Sequence, residues 1–339
     1  MRTAFGQTFD VPDGYLNTAS IGIPPTVVAD ALVGAVNRWR AGADAPPDFD
    51  VDVLAARKAF GQLVGAAEGH VATGASVSQL VSLVAASVPD GTRVLTVPGE
   101  FTSVTFPFAA QAHRGVTITE ADLSEVDGYD LVAASVVQSA DGSVLDLAAL
   151  KEAAQASGTR VLLDVSQAAG WMPLDLGWAD WVVGACYKWL MASRGAAWLA
   201  LTPEALERTL PFAANWYAGD DPWSTVYGLP LRLADDARRL DLSPVWFAQH
   251  TAAIAVPWLA SLDLEAVREH CVGLADGLAV ALGMEPRGSA ILSLDIPGAA
   301  EKLAAAGVKS SIRAGRVRLS CHLYNTPADI ESVLAALRD

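Results

Sequence analysis

The chain has 339 residues, enough for roughly two domains, or for one large domain that carries a smaller one. It contains 23 Lys and Arg against 38 Asp and Glu, a formal net charge of −15, and 52% of its residues are hydrophobic. This composition excludes disorder for the bulk of the chain. It also disfavours a nucleic acid or an anionic membrane as the main partner, because the acidic excess offers neither of them a basic surface.

The first predicted elements are two helices, over residues 26–41 and 51–64, and the first of them begins after a Pro-Pro pair. From about residue 70 to 200 the chain alternates between β-rich runs and helix-like segments such as 147–156. The β-rich runs predict buried strands at 93–97, 116–118, 130–137, 161–164, 181–183 and 196–201. Before the first of these strands, Leu80, Leu83, Val84 and Val88 share one helical face. Such an alternation predicts a mostly parallel sheet with helices on both faces.

The segment 211–244 is irregular and rich in Trp, Tyr, Pro and Asp, which is typical of a functional loop or an interface. Its aromatic residues favour a large or partly apolar substrate side chain, or equally packing in a dimer. They are Trp216, Tyr217, Trp223 and Tyr227.

The C-terminal part predicts a compact α+β unit. Its elements are a helix over 264–282, a strand over 291–296, a helix over 299–306, a strand pair around 314–315 and a helix over 327–337. We therefore predict three parts: a segment 1–20 that packs on the small domain or the active site, a large domain over 21–255, and a small domain over 256–339.

The three cysteines form no CxxC pair, so we expect no disulfide framework and a reducing, cytoplasmic setting. The first seven residues lack the apolar region of a signal peptide. The most apolar stretch, 181–201, contains Lys188 and Arg194, and two charges in its interior argue against a membrane helix.

Several common motifs are absent: GxGxxG at a helix start, GxxxxGK[ST], HExxH and GxSxG. The five histidines are scattered without the spacing of metal ligands. The sequence therefore predicts no metal site, and it lacks the features of a dehydrogenase, a kinase or a zinc hydrolase.

Two charged residues stand at the ends of predicted buried strands. Lys188 follows the strand 181–183 among apolar neighbours, and Asp164 ends the run 161–163. Taken alone, Lys188 is a lysine whose charged end reaches solvent, and Asp164 is a cap for the next segment. Taken together, they match the requirements of pyridoxal 5′-phosphate (PLP): a lysine for the Schiff base and a carboxylate that keeps the pyridine nitrogen protonated.

The residues around this pair resemble the class V aminotransferase-like family of fold-type-I PLP enzymes, which includes cysteine desulfurases, kynureninases and epimerases. The matching segments are 164–170 (DVSQAAG), 184–190 (GACYKWL), 193–195 (SRG), 15–20 (YLNTAS), 318–320 (RLS) and 324–326 (YNT). The resemblance implies an α/β fold with a large, mostly parallel sheet domain and a small C-terminal α+β domain.

The resemblance also implies the cofactor contacts. Gly74, Ala75 and Ser76 match the phosphate loop, where backbone N–H groups at a helix start meet the dianion, although Ser76 and Gln79 also form a capping box. Phe101 matches the residue that stacks on the ring, and alone it would be a core residue.

The resemblance implies cofactor contacts for three further residues. Gln167 falls where a side chain donates to the phenolic oxygen of PLP, and alone it would be a surface amide. Tyr187 matches a tyrosine that reaches the phosphate. Ser243 resembles a hydroxyl that a second subunit lends to the phosphate, which implies a homodimer.

For the substrate, Arg318 matches the arginine that holds the α-carboxylate of an amino acid, and alone it would be a surface arginine in a hairpin. Asn17, in the family's opening motif, is predicted to contact the substrate as well. The chain departs from cysteine desulfurases, because no cysteine precedes Arg318 in the short segment 307–317.

The sequence therefore predicts an aminotransferase that exchanges Schiff bases at Lys188. The alternatives are a PLP-dependent C–S lyase or epimerase, and a non-catalytic binding protein with this fold.

Overall fold

The computed structural model describes residues 1–67 and 69–338, so the last residue of the predicted small domain lies outside it. Its α-helices are α1 (Thr26–Arg40), α2 (Asp50–Val64), α3 (Val77–Ser87), α4 (Thr102–Ala109), α5 (Leu147–Ser157), α6 (Pro203–Arg208), α7 (Trp246–Ala260), α8 (Leu264–Ala281), α9 (Ala299–Ala305) and α10 (Pro327–Arg338). Its strands are β1 (Arg2–Ala4), β2 (Gln7–Phe9), β3 (Val71–Gly74), β4 (Arg93–Thr96), β5 (Thr117–Glu120), β6 (Leu131–Ser135), β7 (Arg160–Asp164), β8 (Trp181–Ala185), β9 (Ala197–Leu201), β10 (Ile291–Leu294), β11 (Ser311–Arg313) and β12 (Arg316–Ser320).

The centre of the molecule is a seven-stranded sheet in the order β3-β9-β8-β7-β6-β4-β5. The five strands from β8 to β5 run parallel, and β9 is antiparallel to both of its neighbours. Strands β6, β7 and β8 are almost entirely buried, because helices cover both faces of the sheet. This arrangement confirms the predicted fold class.

The two faces of this sheet belong to different hydrophobic clusters. On one face, Phe60 of α2 stacks on Trp198 of β9, with ring centroids 5.1 Å apart. On the other face, α3 buries Leu80 and Val84 against the sheet. Each helix meets the sheet with its apolar side, as the periodicity of the sequence predicts.

The C-terminal part forms a three-stranded antiparallel sheet in the order β10-β12-β11. Helices α8, α9 and α10 pack with it around a separate cluster that includes Leu278, Leu303 and Leu319. The predicted helices and strands of this region all occur, with ends shifted by a few residues at most.

The N-terminal segment connects these layers. Arg2 forms an ion pair with Asp329 of α10 at 2.6 Å, and Leu16 hydrogen-bonds the backbone of Lys309 and Ser320. Farther along, the Gly22 N–H donates to the carbonyl of Tyr187 at 2.9 Å. The segment thus runs from the small sheet to the chain beside Lys188.

Several elements were not predicted. Strands β1, β2 and β3 are short, and α4 consists of β-branched and aromatic residues around Pro107, so its sequence carries little helical signal. Helix α7 is apolar on most sides and packs on α1 and α2, which hides the one-sided pattern of a surface helix.

Helix α7 runs through the boundary predicted at residues 255 and 256. The division of the chain into three parts stays a prediction. Within the described residues, no helix combines the length and the apolar character needed to cross a membrane.

Candidate active site

Asp164 and Lys188 lie at the carboxyl ends of two neighbouring parallel strands. Asp164 is the last residue of β7 and pairs with Val183 of β8, and Lys188 comes three residues after the end of β8. The Ser166 N–H donates to Asp164 Oδ1 at 2.8 Å, so Asp164 also caps the following turn, as the simpler interpretation holds. Burial raises the pKa of Asp164, and the nearby charge of Lys188 opposes this rise.

Lys188 is 7% exposed, which excludes a side chain that extends into solvent. Burial lowers the pKa of Lys188 to about 8, and the charge of Asp164 opposes this shift. Its ammonium lies 5.5 Å from the ring centroid of Phe101 and 5.7 Å from that of Tyr187. An amine with such a pKa is partly neutral near pH 8 and can act as a nucleophile.

The backbone around Lys188 is held by the N-terminal segment. A Cβ at Gly22 would lie 2.0 Å from the carbonyl oxygen of Lys188, so only glycine fits at this crossing. After Lys188 the chain turns sharply, with buried Met191 at a φ of 52°. The lysine is therefore fixed by contacts on both sides of its backbone.

Phe101 precedes α4 and is 43% exposed, so it is not a core residue. Its ring lies over the Lys188 ammonium, where a flat cofactor ring bound at the lysine can stack on it. Its backbone N–H donates to Glu100 Oε1 at 2.6 Å.

Glu100 is a buried carboxylate that no motif of the sequence indicates. Besides Phe101, it accepts hydrogen bonds from the backbone and the hydroxyl of Ser135, at 2.7 and 2.6 Å, and from Gln138 at 2.8 Å. Glu100 thereby ties the start of α4 to the end of β6 and fixes the position of Phe101. A glutamate before an aromatic residue is by itself no signal for this role.

The loop 73–76 lies at the same edge of the sheet as Lys188. Gly74, at the end of β3, pairs with Ala197, which pairs on its other side with Ala185 at the end of β8. Two interstrand spacings, roughly 10 Å, thus separate the ends of β3 and β8. A Cβ at Gly74 would meet Leu80 Cδ2 at 2.8 Å, so the close packing of α3 on this loop requires glycine.

The start of α3 has half of the predicted capping box, because Ser76 caps the helix but Gln79 bonds the backbone of Ala75 and not that of Ser76. The Gln79 N–H donates to Ser76 Oγ at 3.4 Å, while Gln79 Oε1 accepts from the Ala75 N–H at 3.1 Å. Gln79 Nε2 is buried and has no partner in the described part of the chain. The unpaired Gln79 Nε2 and the N–H groups at the start of the helix are suited to binding an anion such as phosphate.

A buried ion pair supports the same loop. Arg57 donates to both oxygens of Asp241, and Asp241 Oδ1 accepts from the Thr73 N–H at 2.8 Å. The next residue, Leu242, donates its N–H to the Thr73 carbonyl at 3.0 Å. Ser243 follows on the surface, so the structure leaves its hydroxyl accessible to a second subunit.

Gln167 is buried, which excludes the surface amide. Its Nε2 donates to the Ala19 carbonyl at 3.0 Å and to Ser139 Oγ at 3.1 Å, and its Oε1 accepts from the indole of Trp189 at 2.8 Å. Both amide hydrogens are thus in use within the chain, and donation to a cofactor requires one of these bonds to be replaced. The contact with PLP stays a prediction.

Tyr187 is partly buried, and burial raises the pKa of its phenol. The guanidinium of Arg194 lies 5.2 Å from its ring centroid. A phosphate contact of the hydroxyl also stays a prediction.

Arg318 is 1% exposed, so it is not a surface arginine. It donates to Ser20 Oγ at 2.8 Å, to Ser311 Oγ at 3.2 Å, and to the carbonyl and the hydroxyl of Ser139. Burial, together with the charge of Arg313, lowers the pKa of Arg318 to about 10. The partners of this buried guanidinium are all neutral in the described residues, so a carboxylate that replaced some of these bonds would supply the missing negative charge.

Asn17 lies beside β12, where it forms an isolated bridge with Ser320. Its Oδ1 is buried and has no hydrogen-bond partner within residues 1–67 and 69–338. The structure thus leaves one polar group of Asn17 available, in the segment that also supplies Ser20 to Arg318.

Together these residues fit PLP: an amine and a carboxylate at neighbouring strand ends, a ring over the amine, and a helix start with an orphaned donor. The family model for aminotransferase class V matches residues 48–284, well over half of the chain. The chain belongs to the class V aminotransferase family. Its cofactor is accordingly pyridoxal 5′-phosphate.

Relatives within this family carry different activities. The chain is 26% identical over 308 residues to the uncharacterized aminotransferase YcbU of Bacillus subtilis, covering 82% of this chain and 81% of that one. It is 30% identical over 228 residues to isopenicillin N epimerase of Streptomyces clavuligerus, and the match covers 59% of this chain and 56% of the epimerase. A solved structure of the cystine C-S lyase C-DES with its product cysteine persulfide has the same fold, with a TM-score of 0.86, 19% identity and coverage of 97% and 98%.

Proposed function

We propose that this chain is an aminotransferase that acts on an α-amino acid and holds PLP at Lys188. One observation above all supports the proposal. A buried lysine with a pKa of about 8 shares a sheet edge with Asp164, and the buried Arg318 has only neutral partners among the described residues. PLP supplies an aldehyde for the lysine amine and a ring that accepts electrons from the α-carbon of the substrate.

Four residues of the chain would carry out proton transfer and substrate binding. Lys188 takes the proton from the substrate α-carbon and returns it, since a base is most effective when its pKa lies near the working pH. Asp164 would hold the proton on the pyridine nitrogen. Arg318 binds the α-carboxylate through its two-pronged guanidinium, and Asn17 contacts the substrate beside it.

The cofactor contacts belong to the same proposal. The N–H groups of Gly74, Ala75 and Ser76 would meet the phosphate, with that of Ala75 exchanging its bond to Gln79 Oε1 for one to the phosphate. The hydroxyls of Tyr187 and of Ser243 from a second subunit would complete the contacts. Phe101 would stack on the ring, and Gln167 would donate to the phenolic oxygen. Support comes from the helix start at Ser76 and from the ring of Phe101 over Lys188.

The three alternatives differ in what happens after the α-proton is removed. Transamination is favoured by the relative that is matched over about four fifths of both chains, the uncharacterized aminotransferase of Bacillus subtilis. A desulfurase reaction, in which a cysteine of the enzyme would carry the persulfide, is disfavoured because all three cysteines are buried. Burial raises the pKa of Cys186 and Cys321 to about 12, so their thiols stay protonated. Elimination and epimerisation need no cysteine and remain the alternatives.

A product analysis tests the proposal. The holoenzyme is incubated with single L-amino acids and an excess of a 2-oxo acid, and the products are separated by chiral chromatography. We expect equal amounts of a new 2-oxo acid and a new amino acid. Pyruvate with sulfide and ammonia, or only the D-enantiomer of the donor, would show that a lyase or an epimerase is the correct assignment.

We further propose that this chain forms a homodimer in the cytoplasm. We also propose that each subunit has three parts: the residues 1–20, a large unit ending in α7, and a small unit from α8 onwards. The free, buried cysteines support a reducing compartment. The exposed position of Ser243 supports a contribution to a second subunit.

A further inference from the structure

Three arginines share one face of the small sheet. Arg318 pairs with Ser311 of β11 and with Ser293 of β10, and Arg313 pairs with Arg316 across the hairpin. Residues that are directly opposite in an antiparallel pair point to the same side, and so do alternate residues of one strand. The five side chains therefore lie on the face that carries Arg318.

A cavity of about 610 Å³ opens beside this face. Arg313, Arg316 and Ser293 line it from the small sheet, and the segments 97–99 and 138–145 contribute most of the remaining wall. Ser139, which holds Arg318, lies between two of the lining residues, Gln138 and Ala140. The cavity thus borders the segment that holds Arg318, and Arg313 of its wall shares Ser20 Oγ with Arg318.

The described residues balance little of the positive charge along this face. Arg313 and Arg318 both donate to Ser20 Oγ, at 3.3 and 2.8 Å, and Arg313 forms no ion pair with any described residue. Arg316 meets Asp295 at 3.3 Å, but the Asp295 side chain is 77% exposed, so this pair contributes little. Asp141, the acid that lines the cavity, lies 3.6 Å from Arg287.

A second feature lies at the wall of the same cavity. Ser293 Oγ is buried and has no hydrogen-bond partner in the described part of the chain, although a buried hydroxyl normally has one. Two guanidinium groups and an unused hydroxyl along one wall form a binding surface for an anion.

We propose that the substrate is a dicarboxylic α-amino acid, whose side-chain carboxylate is bound in this cavity by Arg313 and Arg316, with Ser293 as an additional donor. The proposal rests on the function proposed above and specifies its substrate class. Arg318 would bind the α-carboxylate of the substrate. The side-chain carboxylate would bind Arg313 and Arg316 in the cavity. The planar fork of a guanidinium matches a carboxylate better than any neutral side chain.

Kinetics of the holoenzyme test the proposal. The donors are L-aspartate, L-glutamate and L-2-aminoadipate, with L-asparagine, L-glutamine and L-norleucine as neutral counterparts. We expect kcat/KM of at least one acidic donor to exceed that of its counterpart at least tenfold. Arg313→Gln should lower the value for the acidic donor by about 10- to 100-fold and change that for the neutral donors less than twofold.

The matched control is Arg268→Gln, because Arg268 is an exposed arginine of α8 that pairs only with Glu265 among the described residues and does not line the cavity. It should leave both classes of donor unchanged. Equal turnover of acidic and neutral donors by the wild type, or an equal loss for both in Arg313→Gln, would overturn the proposal.

A binding measurement separates the substrate class from the reaction. Isothermal titration of the holoenzyme with succinate, glutarate and butyrate should give tighter binding of a dicarboxylate, and Arg313→Gln should remove this preference. If no amino acid is turned over but the preference persists, the proposed function fails and the anion site stands. If butyrate binds as tightly as both dicarboxylates, the anion site fails.

Discussion

At the scale of single residues, we propose that the buried amine of Lys188 captures the cofactor. Removal of the amine in Lys188→Ala should give a folded protein that binds PLP only without a covalent bond, because no other lysine among the described residues lies in the site. Borohydride reduction of the wild type followed by mass spectrometry should find the pyridoxyl group on the peptide with Lys188. A label on Lys58 or Lys309 would contradict the assignment.

The lowered pKa of Lys188 predicts a pH dependence. Only the neutral amine attacks an aldehyde, and its fraction rises as the pH passes through about 8, the value to which burial lowers the pKa of Lys188. After removal of PLP, the rate of cofactor incorporation should therefore increase with pH and level off above about pH 8. A rate that still climbs steeply beyond about pH 10 would indicate an ordinary exposed lysine.

Asp164 provides a second test at this scale. Asp164→Asn keeps the size of the side chain and an oxygen for the Ser166 N–H, but it removes the charge that we propose to hold the proton on the pyridine nitrogen. We expect the variant to retain PLP while exchange of the substrate α-proton falls by orders of magnitude. Proton NMR in heavy water measures this exchange, and an unchanged rate would exclude the electrostatic role.

At the scale of elements, the N-terminal segment crosses the Lys188 loop so closely that Gly22 has no room for a side chain. Gly22→Ala would place a Cβ 2.0 Å from the Lys188 carbonyl, so the two backbones must move apart. Overpacking of this kind typically costs about 1–3 kcal/mol. We expect a lower free energy of unfolding, measured in urea, and slower capture of PLP.

Gly34→Ala is the control for this substitution, because a Cβ at Gly34 in α1 would have only Arg38 Nη1 nearby, at 3.8 Å. In a helix interior, alanine in place of glycine should stabilise the protein slightly, by about 0.5–1 kcal/mol. Equal effects of the two substitutions would show that the crossing at Gly22 does not constrain the site.

At the scale of the whole molecule, we expect a homodimer in which Ser243 reaches the phosphate of the other subunit. The irregular segment before it exposes large apolar residues such as Tyr227 and Leu229, at 87% and 90%, and a dimer would cover them. Ser243→Ala should weaken PLP binding only modestly, because the Ser76 loop still meets the phosphate. Light scattering checks the mass, and a monomer that keeps PLP and full activity would refute the dimer.

The sequence by itself determined the strands β6, β7 and β8 and the positions of Asp164 and Lys188 relative to them. These strands are continuous apolar runs, and such runs report burial from local composition alone. Since the carboxyl ends of parallel strands meet at one edge of a sheet, the strand pattern alone places the two charged residues near each other.

Only the tertiary structure decided the surroundings of that pair. Arg318 meets Ser20, which is 298 positions away in the chain, and Glu100 meets Ser135, 35 positions away. The reversal of β9 between β8 and β3 likewise follows from pairing across the sheet. Local patterns report periodicity and burial, whereas the partners of a buried charge are set by long-range packing, and that is why these contacts appear only in the folded chain.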